Sequence, residues 1–438
     1  MKSTMKLVIL DPGHFHAALL QKTMYANVDP TVHVYAEEGP DLRDYLRKVE
    51  SYNARPVDPT SWKMQVHASP DFLDRFSADR AGNVAVIAGN NRRKTEYLTR
   101  AIATGMNVLA DKPMAIDSAG FQSLRDAFAR AGEKGVLLYD IMTERHEITT
   151  MLQKSFSRIP AVFGTLLHGT EENPAVTKES VHHFSKLVSG APIKRPAWFF
   201  DVRQQGEGLV DITTHLVDLV QWECFPGEIL EFSRDIRIGS ARRWPTEITL
   251  AQFEKVTQLQ GFPDYLGGDV QANGSLHTYA NGEINYRIKG VHAKVSVLWN
   301  FEAPEGGGDT HFSVMRGSKA NLVIRQGEAE GWQPVLTIEP ATAAGAAELA
   351  SALPRAMDEI CEAYPGVDLN RAGDAWRVVV PAAYHVGHEA HFAQVATQFL
   401  SYVEQGALPD WEVPDMITKY HTTTQALEMA RADMKPGK

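Results

Sequence analysis

The chain has 438 residues, 44% hydrophobic and 22% charged, enough for two or three packed domains. A formal net charge of −10 with no basic run excludes charge-driven nucleic-acid binding. Only two cysteines, Cys224 and Cys361, are present, which excludes a disulfide framework and a cysteine-ligated metal centre and points to a reducing compartment.

Met1-Lys2-Ser3-Thr4-Met5 leads straight into an apolar strand. With no signal-peptide core and no apolar run of about 18 residues, the expectation is a cytoplasmic protein without membrane contact. Strands are predicted at Lys6–Leu10, Thr31–Ala36, Met64–His67, Val84–Ala88, Met106–Ala110 and Val136–Tyr139, with helices at Arg92–Ala103 and Ser118–Ala131. That alternation predicts an α/β domain over residues 1–145, a Rossmann-type doubly wound parallel sheet.

The character changes after Arg145. Asn281-Gly282 stands between alternating runs and predicts a tight hairpin. Further strands are predicted at Val291–Phe301, Thr310–Arg316, Asn321–Ile324 and Gln333–Ile338, and helices at Asp211–Trp222, Ala346–Ala363, His388–Gln405 and Asp415–Met434. Residues 146–438 therefore read as an α+β domain, a large mainly antiparallel sheet with helices on one face. Gly306-Gly307-Gly308 marks a mobile loop, and no internal repeat or long linker is found.

The first strand is followed by Asp11-Pro12-Gly13-His14-Phe15-His16. At a dinucleotide site this turn brings the backbone of Gly13, His14 and Phe15 to a pyrophosphate. The G-x-G-x-x-G pattern is degraded: Asp11 stands at the first glycine position and His16 at the third. Glu37 and Glu38 follow the second strand, where an acid binds ribose hydroxyls and repels a 2′-phosphate, favouring NAD over NADP; the alternative is a pair of solvated loop acids. Gly89-Asn90-Asn91 closes a later strand, at the edge where such sheets place ligand loops.

Gly206-Glu207-Gly208 leads into Leu209-Val210-Asp211-Ile212-Thr213-Thr214-His215. On a helix, Asp211 and His215 share one face, about 5–6 Å apart at Cβ, a pairing suited to proton transfer near neutral pH. A helix-start acid and a core histidine are the plainer alternatives. Arg145 and the polar set Asp201, Arg203 and Gln204 beside Trp198 suit a polyhydroxylated ligand, or equally a salt bridge with buried aromatics. His385, His388 and His391 lack His-Glu-x-x-His spacing, so no metal site is expected there, and substrate lining, capping and packing stay open, as for His182-His183.

Three segments resemble the Gfo/Idh/MocA family of NAD(P)-dependent sugar and cyclitol oxidoreductases. Asn83–Ala115 is similar to the family's strand–loop–helix–strand ending in Glu-Lys-Pro, here Asp111-Lys112-Pro113. Gly208–His215 resembles its Gly-x-x-x-Asp-x-x-x-His block, and His391–Gly406 its late helix. Ala191–Trp222 resembles a subgroup with an extended C-terminal domain. The resemblance implies that Lys112 contacts a substrate hydroxyl near the nicotinamide, that His215 is the acid/base and Asp211 its partner, and that the second domain binds substrate and forms a homo-oligomer. It further implies that Lys112, Asp211 and His215 converge in one cleft. Asp111 is a methylene shorter than the family's glutamate. Two other functions remain open: an NAD-dependent glycosidase acting by transient oxidation and elimination, and a non-catalytic sugar or dinucleotide sensor.

Overall fold

The computed structural model describes residues 4–188 and 191–433. It divides into two compact units: one formed by residues up to Thr143 with Pro196–Gly206 and His388–Tyr420, the other by Glu144–Arg195, Glu207–Gly387 and the chain from His421 onward. Met434, the expected end of the last helix, lies outside the described residues.

The first unit is built on six strands: β1 (Leu7–Leu10), β2 (Thr31–Ala36), β3 (Lys63–Ala68), β4 (Val84–Ile87), β5 (Asn107–Asp111) and β6 (Leu138–Ile141). All pairs are parallel, in the order β3-β2-β1-β4-β5-β6. β1, β4 and β6 are buried at every residue, as strands covered on both faces must be, which is why they read as unbroken apolar runs. The order reverses between β1 and β4, and the carboxyl ends of those strands border the crevice where open α/β sheets bind ligands. The helix Ser118–Lys134 begins where Asp117 accepts from Gly120 N at 2.7 Å and stops at Gly135, φ 65°. The helix expected from Arg92 begins instead at Lys94, after a 3₁₀ turn at Asn91–Arg93 held by the Asn90 side chain.

The main sheet of the second unit has nine strands: β7 (Val176–Ser185), β8 (Ile236–Ile248), β9 (Leu276–Ile288), β10 (Val291–Glu302), β11 (Thr310–Arg316), β12 (Ala320–Gln326), β13 (Val335–Pro340), β14 (Asp368–Ala372) and β15 (Ala375–Val379). Their order is β8-β9-β10-β7-β11-β12-β13-β15-β14, antiparallel throughout except for β7 beside β10. Along β10, Val291, Ala293, Val295, Val297 and Trp299 are buried while the residues between them are not. The sheet thus has one covered and one open face, and Ile148–Ser157 and Thr213–Cys224 pack on it.

Asn281-Gly282 is not a hairpin. β9 runs straight through it, and the chain reverses at Lys289 and Gly290, φ 48° and 84°. Both residues answer to tertiary demands. Asn281 donates to Trp244 O and Thr246 Oγ1 and accepts from Trp299 N, bridging an irregularity in the β8/β9 register. A Cβ at position 282 would come within 2.5 Å of Leu209 Cδ2, so only glycine admits that leucine. No helix among the described residues is long and apolar enough to cross a membrane.

Candidate active site

At the end of β1, Asp11 takes a left-handed conformation, φ 49°, at a position usually filled by glycine. Its carboxylate accepts from Tyr97 Oη at 2.7 Å, and burial raises its pKa against the pull of that bond. Gly13 N and His14 N both reach Ala88 O at 3.3 Å. Gly89 is required here, because a Cβ would come within 2.2 Å of Asp11 O. The helix after the turn is only His16–Leu19, so a helix dipole contributes little at this end. Phe15 stacks edge-on against His16, with ring centroids 4.4 Å apart.

Glu37 is exposed at the end of β2, near enough to Asp11 for its charge to raise that carboxyl's pKa further. Glu38 is exposed and pairs with Arg43. Asp41, which sequence reasoning missed, sits beside the glycine turn: a Cβ on Gly13 would lie 3.1 Å from its Oδ2. Burial raises the Asp41 pKa, although Trp198 Nε1 donates to it at 2.9 Å.

Asp111 closes β5. His16 Nδ1 lies 2.9 Å and His14 Nδ1 3.5 Å from the same oxygen, Asp111 Oδ2. Burial works to raise the Asp111 pKa, but the two imidazoles outweigh it and hold the carboxyl well below its ordinary value. Burial likewise drives His16 well below the usual histidine range, against the attraction of Asp111. Among the described residues, His14, His16 and Asp111 are the donors that come within metal-binding reach of one another. His391 is buried and His385 and His388 are exposed. Lys112 follows, buried, in a cis bond to Pro113. Lys94, also missed, is fully buried and donates to Asp111 O at 2.8 Å and to Asn91 Oδ1, bracing the backbone ahead of Lys112.

The segment expected to line a substrate pocket in the second domain belongs to the first unit. Asp201 caps Val202–Gln205 and binds Arg203 Nε at 2.7 Å and Gln204 Nε2 at 2.9 Å. Asn90 Nδ2 donates to Gln204 Oε1 at 2.6 Å, and Asn91 Nδ2 to Gln205 O at 2.7 Å. Predicted cofactor and substrate residues are therefore bonded to each other.

In the second unit, residues 208–212 form turns, and the helix starts at Thr213 rather than Asp211. The reason is local. Gly208 is pressed against β9, where a Cβ would meet Ala280 O at 2.0 Å, and Thr213 and Thr214 return their hydroxyls to Gly208 O and Val210 O at 2.8 Å each. Asp211 and His215 are both buried, on the entry to the helix. Glu207 is the anchor that sequence reasoning missed. It is 2% exposed and binds Arg243 Nε at 2.6 Å and Arg431 Nη2 at 2.8 Å. An acid between two glycines was visible, but its partners are 36 and 224 residues away.

Two more ion pairs fix the His215 helix. Arg145 meets Asp218 through two bonds of 2.7 Å, so its guanidinium serves the scaffold. Lys178, fully buried on β7, holds both oxygens of Glu223 at 2.9 Å and Ser313 Oγ at 2.9 Å. Arg195 is also close to Asp211. Burial lowers its pKa to about 10, opposed by the charges of Asp309 and Asp211. Asp309 in turn binds His182, His183 and Lys186.

A family model described as "Putative oxidoreductase C terminal domain" matches residues 152–431. No curated protein sequence matches the chain. A crystal structure of a "putative oxidoreductase" from Parabacteroides merdae ATCC 43184 is 52% identical, covers 99% of both chains and superposes with a TM-score of 0.97. Levoglucosan dehydrogenase in complex with NADH is 14% identical over 98% of this chain and 97% of its own, with a TM-score of 0.63. A 3-ketoreductase from Actinomadura kijaniata, in complex with TDP-benzene and NADP, is 14% identical over 97% of both chains, with a TM-score of 0.58. At that identity the last two share the fold.

Proposed function

The chain belongs to the Gfo/Idh/MocA-like oxidoreductases that carry the oxidoreductase C-terminal domain, and on that premise we propose that it moves hydride between NAD and a carbinol carbon of a sugar, keto-sugar or cyclitol. One observation carries the reading. The chain holds both family blocks: Asp111-Lys112-Pro113 at the carboxyl end of a Rossmann strand, and Asp211 with His215 buried at the entry to an ion-paired helix.

The first unit suits a dinucleotide. Gly13 leaves the β1 turn without a side chain, Gly89 keeps the neighbouring loop close, and the Glu37 carboxylate faces solvent at the ribose position. Glu37 favours NAD over NADP by repelling a 2′-phosphate. NAD, when bound, takes up or returns the hydride. The protein's own groups manage the proton and the oxygen. Lys112 places an ammonium against the substrate oxygen and stabilises alkoxide charge as it develops. An imidazole nitrogen of His215 takes the hydroxyl proton, and Asp211 orients that ring and stabilises its cationic form. Levoglucosan dehydrogenase, with NADH and levoglucosan bound, supports the carbohydrate class by likeness of fold.

Both cysteines are free, which supports a cytoplasmic location. Family membership and the open face of the nine-stranded sheet support a homo-oligomer, which sedimentation velocity tests. The decisive assay follows nicotinamide absorbance across aldoses, ketoses, inositols and glycosides with both cofactors. Turnover of a polyol with NAD is expected. Lack of any nicotinamide reduction across the panel, with NADH still bound, overturns the reading, in favour of the redox-neutral glycosidase if a glycoside releases its aglycone and of a sensor if none does.

A further inference from the structure

We propose that His14, His16 and Asp111 form a binding site for one divalent first-row transition-metal ion, at the carboxyl edge of the parallel sheet. The two imidazoles come from the turn after β1 and the carboxylate from the last residue of β5, so two strands of one sheet, with β4 between them, supply the set. All three donor atoms lie within 4.8 Å of one another. The rings of His14 and His16 stand edge-on at 4.0 Å, and both Nδ1 atoms face the same carboxylate oxygen, at 3.5 and 2.9 Å.

Those two separations carry the argument. Metal–nitrogen and metal–oxygen bonds of about 2.0–2.1 Å place neighbouring ligand atoms about 3.0 Å apart around an octahedral ion and about 3.4 Å apart around a tetrahedral one. A hydrogen bond accounts for the shorter contact, whereas the 3.5 Å ion-pair separation of His14 is longer than the roughly 2.7–3.2 Å of an ideal N–H···O bond and close to the tetrahedral spacing. The surroundings suit a metal. The side chains of His16 and Asp111 are 10% and 6% exposed, and Phe392 covers the His16 ring at 4.4 Å between centroids. Such an apolar wall limits water access and steadies ligand orientation. Two imidazoles and a carboxylate select zinc, iron, cobalt or nickel over calcium or magnesium, and three protein ligands leave a position open to water or another oxygen.

The test uses metal-stripped, full-length protein without nicotinamide cofactor, so its outcome is independent of the proposed redox activity. Zn²⁺ is titrated calorimetrically, and Co²⁺ by its visible absorption. One saturating equivalent is expected, with a Co²⁺ band characteristic of nitrogen and oxygen ligands at low coordination number. His14→Gln, His16→Gln and Asp111→Asn should each weaken binding by more than the roughly 10- to 100-fold that loss of an outer partner costs. His385→Gln should leave it unchanged. Thermal melts of the metal-free variants identify any that fail to fold, and the isosteric Asp111→Asn then carries the decision. No saturable binding of either ion overturns the site. So does binding that survives Asp111→Asn and His14→Gln, or that His385→Gln removes.

Discussion

Two glycine-bearing turns solve the placement of a functional group in opposite ways. At Asp11–His16 the turn is held by hydrogen bonds, and protonation is displaced upward at half-buried Asp11 and at Asp41 beside it, downward at buried His16. At Gly206–His215 the turn is clamped by fully formed ion pairs, Glu207 with two arginines and Asp218 with Arg145. A group held by charge pairs is fixed across a wide pH range. One held among displaced carboxyls responds to pH and to anything charged that approaches. Such a difference fits the division proposed above, a rigid proton-transfer residue in one turn and an adjustable cofactor grip in the other.

The largest effect should come from the rigid side. His215→Ala is expected to lower turnover roughly 100- to 10,000-fold, the usual worth of a general acid/base. NADH affinity, read by fluorescence titration, should stay within about twofold, since the role proposed for this ring is proton transfer rather than cofactor binding. Loss of NADH binding instead would place the residue with the cofactor grip. Glu207→Ala removes the shared partner of Arg243 and Arg431 and should cost about 3 kcal/mol in urea unfolding, as expected when a buried pair is broken. A cost under about 1 kcal/mol would show the clamp to be ornamental.

On the adjustable side, Lys94→Met leaves Asp111 O and Asn91 Oδ1 unmatched and should destabilise by about 2 kcal/mol. Glu37→Ser should move cofactor preference toward NADP by about tenfold in kcat/KM, or 1.4 kcal/mol; an unchanged ratio would leave Glu37 a solvated loop acid. Asp41→Asn should give the smallest effect, a rise in Tm of about 1–2 °C at neutral pH. The Asp41 pKa is raised in the folded protein, so its contribution is intact below the ordinary value of 3.8 and is lost as pH rises through the higher folded value. The variant's advantage should therefore disappear in acid. An advantage that grows on acidification reverses the sign and refutes the account.

The sequence by itself determined the alternation of apolar strands and helices that makes the parallel sheet, because strands buried on both faces must be continuously apolar. It also placed Ala346–Ala363 and His388–Gln405 to the residue, since their apolar stripes recur at helical spacing. The family blocks around Lys112 and His215 were legible for the same reason: their information is local. Tertiary structure alone decided where long-range partners meet. Asn281-Gly282 carries a hairpin signature, yet it lies inside β9 because Leu209 needs the space and β8 needs the amide. Glu207 finds Arg431 across 224 residues, and Trp198–Gln204 joins the unit of Asp41 and Asn90 rather than the sheet domain that surrounds it in sequence. His14 and His16 meet Asp111 only because β4 lies between β1 and β5. Buried polar groups must find partners wherever the chain returns, and no periodicity records where that will be.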